Sequence, residues 1–300
     1  MPRRRQTYPV PDIVEKLDHD IPALVAPSPQ ARYALYMRYQ QLQKIRVGML
    51  NAAHAAKKRE EPAEFFAWLA RQLHLLEDRL VRVMEESVRA HPAGPWLLSL
   101  YGIGPVLACG VLAFCDKPIP FRTAGALWRY AGLDPTRQWR PGEKRPYNAR
   151  LKALCYNIGD SFCKTSNHVA SFYGHIYRSR KAYEVERNQR GAYRDQALEA
   201  LRYTTDPAAR QYYEQGLLPP GRLELRARRY AVKLFLSHVQ HVLYFLHYQE
   251  HPPRPYALRI PGNKAWLGPP NAELIPGFVE RMTKNIILPS VDANDGAAST

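Results

Sequence analysis

The sequence is short of acid. Across 300 residues, 43 Lys and Arg face 27 Asp and Glu, a net charge of +16 with an isoelectric point near 9.8. An imbalance of that size points to a polyanionic partner, nucleic acid or an anionic membrane surface. Long hydrophobic runs are missing too. No apolar stretch reaches the 18 or more residues a membrane span needs, and the N-terminal Met1 to Thr7 carries charge without an apolar core, which excludes a secretory signal. Cysteine is scarce: Cys109, Cys115, Cys155 and Cys163 include no CxxC pair, so neither a disulfide framework nor a zinc knuckle fits. A reducing, cytoplasmic setting is expected. Convincing period-two strands and internal repeats are absent as well. With 46% hydrophobic residues the chain can bury a core, which excludes wholesale disorder. What is left is a helical protein whose partner is DNA, with RNA as a second candidate and no membrane.

The chain divides by its punctuation. Residues 1–30 form a basic and then proline-rich tail. From Ala31 to Lys58, Leu35, Leu42, Met49 and Ala56 recur seven apart. Pro62 opens a second helix, where Phe66, Leu69, Leu73, Leu76, Leu80 and Val83 alternate spacings of three and four. That is the seam of a coiled coil. The pattern over 31–91 is satisfied equally by an intrachain hairpin and by a dimerisation stalk. Residues 92–250 read as a second, helical domain. Its last helix, from about Gly221 to Glu250, sets Arg222, Arg226, Arg229 and Lys233 in a stripe beside an apolar face. Residues 251–300 read as a Pro- and Gly-rich tail.

The strongest local signal runs from Leu97 to Leu112. Leu97, Leu100, Gly102, Ile103, Gly104, Ala108, Val111 and Leu112 reproduce the helix-hairpin-helix pattern. Gly102 supplies the positive φ of a tight turn, and Ile103 plugs the core. Gly104 lets a phosphate approach the backbone, and Pro105 starts the next helix. Free amides at that helix start make an anion seat that grips DNA without reading its sequence.

A basic region follows. From Arg122 to Arg194 there are fifteen Lys and Arg against five acids, with aromatic residues interleaved. Cations neutralise phosphates and rings stack on unpaired bases. The segment 137–152 is the best candidate for a DNA-facing loop, with Arg137, Arg140, Lys144, Arg145, Arg150 and Lys152 as its cations. His238 and His241 read as helix residues rather than metal ligands, no metal site is evident, and no cofactor is implied.

The turn at Gly102–Val106, the segment Phe121–Pro135 ending Ala-Gly-Leu-Asp-Pro, and Asn148–Leu154 together resemble the C-terminal domain of insertion-sequence transposases of the one-ten class, relatives of the Piv/MooV DNA invertases. The resemblance covers roughly residues 65 to 250. It implies an all-α domain behind a coiled coil and a role in DNA transposition or recombination. In that family a RuvC-like domain with four metal-binding carboxylates precedes the coiled coil, and a nucleophilic serine follows the Ala-Gly-Leu motif. Here about 90 residues precede the hairpin and read as helices. Asp12, Glu15, Asp18 and Asp20 cluster in one short segment, and Thr136 is the only hydroxyl between Thr136 and Arg145. No catalytic residue can be carried over. The expectation is a nucleoid-associated DNA-binding protein of transposase descent, homo-oligomeric through its N-terminal helices. A RuvC-like partner protein would supply the chemistry. The alternative is a non-catalytic architectural DNA binder. A helix-hairpin-helix glycosylase, with Asp116 or Asp134 as its acid, is more distant.

Overall fold

Capping side chains and prolines decide where the helices begin. The structure is a computed structural model and describes residues 28–134, 136, 139, 140, 142–253 and 267–285. The tail at 1–27 with its acidic cluster, Arg137, and most of the C-terminal tail lie outside the described residues. Ser28 accepts a hydrogen bond from the Ala31 amide at 3.1 Å, and Pro29 starts α1 (Pro29–Lys58). Five residues later comes α2 (Glu64–Arg89), which leaves Pro62 just outside the helix. The two pack along each other, and Arg46 Nε meets Glu77 Oε1 at 2.7 Å. Arg46 lies twelve residues before the end of α1 and Glu77 thirteen after the start of α2, so the pair is antiparallel within one chain. Leu35, Leu42, Met49 and Ala56 are all at least partly covered. The expected seam of α2 slips once: Leu76 is exposed while Glu77 is buried against Arg46.

Two short helices follow, α3 (Gly94–Ser99) and α4 (Pro105–Cys115). Eight of the eleven residues of α4 are buried, as expected of a helix apolar on every side. It lies against α1 and α2 on one flank. Its Gly110 is required by that packing, because a Cβ there would come 2.9 Å from the Tyr36 ring. Thr123 caps α5 (Ala124–Tyr130), and Asn148 caps α6 (Ala149–Lys164) by accepting from the amides of Arg150 and Leu151. The chain continues through α7 (Phe172–Gln189), α8 (Arg194–Leu201) and α9 (Pro207–Glu214). It then enters α10 (Pro220–Tyr248), which ends at Gln249 in the left-handed region.

The helix α10 is the axle of the fold. It packs on α5, α6 and α7, and twelve of its residues are buried. Phe162, Tyr173 and Phe235 form a contiguous ring cluster between α6, α7 and α10. A smaller cluster of Tyr193, Ala197, Tyr213, Leu218 and Leu223 closes the far end. A last segment, with a 3₁₀ turn at Ala272–Leu274 and α11 (Phe278–Asn285), docks back on the core. There Trp96 Nε1 donates to the Pro270 carbonyl at 2.8 Å, and Phe278 is fully buried. Every regular element among the described residues is helical, as the sequence predicts.

Candidate nucleic-acid interface

The turn between α3 and α4 is built from within. Leu100 leaves α3 in an extended conformation, and the Ile103 amide donates to the Leu100 carbonyl at 2.9 Å. Gly102 sits at φ +95°, in the region L side chains avoid. Ile103 points into the core with 3% of its surface exposed, so only its backbone is near the surface. Gly104 is exposed and extended, φ −88° and ψ 178°, as the N-cap of α4. The first-turn amides of Val106 and Leu107 have no acceptor within the helix. The end of α6 braces the turn: Ser161 Oγ donates to the Gly102 carbonyl at 2.6 Å, and Thr165 Oγ1 donates to the Ser161 carbonyl at 2.9 Å. Outside it, Tyr101 stacks on His168 with ring centroids 3.8 Å apart and planes 9° from parallel.

The basic loop lies at the opposite end of α6. Gly132, at φ +68°, turns the chain out of α5 so closely over Tyr147 that a Cβ would come within 2.8 Å of the ring. Asp134 accepts from the amide and hydroxyl of Thr136. These bonds, with Arg129 beside them, hold its carboxyl below the usual range. Further on, Trp139 Nε1 donates to the Glu143 carbonyl, and the Arg145 guanidinium lies 5.3 Å from the Trp139 ring. Gly142, at φ +91°, makes the tight bend between them. Arg140, Lys144 and Arg145 are exposed. Arg150 donates to the Tyr33 hydroxyl and lies over its ring, and Lys152 stands 4.4 Å from the Tyr147 ring.

The sequence treats Gly102–Gly104 and the segment 137–152 as one site. The fold sets them at the two ends of α6, whose sixteen residues span about 24 Å. Arg140, Lys144, Arg145, Arg150 and Lys152 gather at one end and Gly102, Ile103 and Gly104 at the other, joined by the solvent face of α6 that carries Lys152, Tyr156, Asn157 and Lys164.

Residues 95–173 match the family model of the IS116/IS110/IS902 transposases. The match spans about a quarter of the chain and takes in α3, the turn, α4, α5, the basic loop, α6 and the start of α7. No curated protein and no solved structure matches. This transposase-like segment supports a transposition-related function, and it contains every candidate residue read from the sequence.

The serine and threonine hydroxyls and the acids of the transposase-like segment already have partners. Ser161 and Thr165 brace the turn, Ser166 donates to the Cys163 carbonyl, and Thr136 is bonded to Asp134. Asp116 lies 3.3 Å from Arg32 and 3.4 Å from His91. Burial pushes the Cys109 and Cys115 thiols up to about 12, which makes them unreactive at neutral pH. Outside the segment, His238 is held between the Tyr173 hydroxyl at 2.7 Å and the Leu267 carbonyl at 2.8 Å. No group of three or more His, Cys, Asp or Glu is placed to hold a metal among the described residues.

The Tyr101–His168 stack escapes a reading from sequence. Only an aromatic just before the turn hints at it, and its partner lies 67 residues away.

Proposed function

We propose that the protein binds duplex DNA by its backbone during transposition or recombination, using the turn at Gly102–Gly104 as a helix-hairpin-helix phosphate seat and Arg140, Lys144 and Arg145 as a second grip. The observation that carries this reading is Gly104. The turn needs glycine at 102 because of its φ, whereas no packing among the described residues needs glycine at 104: a Cβ there would meet no atom within 4 Å. Open space beside the first-turn amides of α4 suits a phosphate approaching closely. The exposed cations on the Gly142 bend fit the same duplex, and the match to transposases over 95–173 agrees with the setting.

The test is binding of a labelled blunt duplex across a salt series. Replacing Gly104 with Ala should leave the fold intact by circular dichroism and weaken binding severalfold. The triple change Arg140→Ala, Lys144→Ala, Arg145→Ala should flatten the log K against log salt slope by about 0.9 for each phosphate left without its cation. Unchanged binding in both variants removes this surface from the reading.

The engaged hydroxyls favour a protein that holds DNA for chemistry supplied by a RuvC-like partner, or an architectural protein that holds it for none. Incubating supercoiled plasmid with the protein and magnesium separates these from a self-sufficient enzyme, since both give no nicking and no covalent adduct.

A further inference from the structure

The cationic stripe of α10 is carried by a helix that supplies none of the residues of the duplex surface proposed above, and the fold gives it a neighbour that the sequence does not show. Glu184 of α7 is 1% exposed and receives Arg180, Arg226 and the Tyr193 hydroxyl. Burial raises its proton affinity, yet these hydrogen bonds outweigh burial and hold the carboxyl below its ordinary range. One buried carboxylate thus pins two guanidiniums across the α7–α10 contact. From there guanidiniums and rings alternate. Arg226 lies 4.3 Å from the Tyr193 ring and Arg187 5.2 Å from it, and Arg187 is also 5.6 Å from Tyr183. Arg180 stands 4.7 Å from Tyr183 and 4.6 Å from Tyr230. The ladder ends on Tyr230, 45% exposed, in the midst of the stripe. Arg222 and Arg229 are exposed, and neither forms an ion pair with a carboxylate among the described residues. Lys233 closes the row, 4.2 Å from the Trp128 ring, with Asp134 the acid nearest to it in effect.

A surface whose cations outnumber its acids calls for a polyanion. The open ring among them narrows the choice. A duplex keeps its base faces stacked inside and would leave Tyr230 idle, whereas a single strand offers phosphates and bare base faces together. The ladder also holds the ring of Tyr230, with Arg180 4.6 Å from it, which lowers the entropy lost when a base stacks there. We propose that the α7–α10 face holds a single-stranded DNA segment, its phosphates on Arg222, Arg229 and Lys233 and a base on the ring of Tyr230. This rests on the reading of the protein as a DNA binder. It adds a second surface for a strand that has left the duplex.

The test uses the full chain and three probes of one sequence: a single-stranded DNA 20-mer, its duplex and the RNA equivalent, followed by fluorescence anisotropy. Tyr230→Leu should weaken single-strand binding at least about fivefold, with Tyr230→Phe restoring it. Arg222→Gln with Arg229→Gln should reduce the salt slope for the single strand by about 0.7 for each phosphate left without its cation. Duplex affinity should stay unchanged in both, and circular dichroism should confirm the fold. Single-strand binding that ignores these changes overturns the proposal, as does an equal loss for duplex or tighter binding of RNA than of DNA. If only the loop and Gly104 variants fail to act on duplex, the hairpin reading falls and this one stands. If only the Tyr230 and Arg222/Arg229 variants fail, the reverse holds.

Discussion

Gly102 and Gly104 sit two residues apart in one turn and answer to different constraints. At Gly102 the backbone is left-handed, and a Cβ would press on Thr165 Oγ1 at 3.0 Å. Gly102→Ala should therefore cost about 1–2 kcal/mol of stability. Gly104→Ala, in extended backbone facing open space, gives up only the preference for glycine over alanine at a helix N-cap and should cost less than about 1 kcal/mol. Urea unfolding of the two variants measures this difference without any ligand. Equal losses would mean that Gly104 serves the fold. The sequence marks both glycines alike, because a pattern records residue type and not the φ that makes one of them obligatory.

Among elements, the antiparallel pair α1–α2 leaves several large apolar side chains uncovered. Phe65 at 63% exposure and Trp68 at 49% stand at the start of α2, and Ile45, at 51%, lies midway along α1. Self-association through these helices is the proposal that accounts for them. Light scattering at tens of micromolar should show a mass above one chain, and Phe65→Glu with Trp68→Glu should return it to the monomer. A wild-type monomer under those conditions rejects the idea. The helices themselves were legible from spacing, since Leu35, Leu42, Met49 and Ala56 mark one face of α1 whatever covers it. The slip at Leu76 was not. It comes from Arg46 reaching Glu77 across the pair, a contact between residues 31 apart that periodicity along one helix does not contain.

Across the whole molecule, acid should loosen the dock of the C-terminal segment. Burial lowers His238 to about 4, and lowers His241, bonded to His251, to about 3. Unfolded histidine titrates near 6.5, so the unfolded chain takes up protons first. The stabilisation is complete above that pH. It is lost as pH falls from about 6.5 towards 4 for His238 and 3 for His241, by up to about 1.4 kcal/mol per pH unit for each histidine. Urea midpoints at pH 7.5 and 5.0 check the sign, and a flat profile would refute it. The same long-range packing explains what the sequence could say about the site. Charge and motif single out Gly102–Gly104 and the cations of 137–152 as candidates. Their separation along α6 and the Glu184 hub depend on which helices meet, and local spacing is silent on that.

The helix α6 is a strut of set length. Its N-terminus is tied down by Asn148 and Tyr130 and its C-terminus by Ser161 and Gly102, so neither end can slide toward the other without melting a turn. On the proposed duplex reading, DNA gripped at both ends and lying along the helix would be metered: about 24 Å corresponds to roughly seven base steps at 3.4 Å each. That is less than one helical turn, so the two grips meet the double helix on different sides of its axis. Under the proposed reading, a straight duplex lying along α6 would have to be wrapped or rotated to satisfy both, and the length of α6 would set how much DNA lies between the grips.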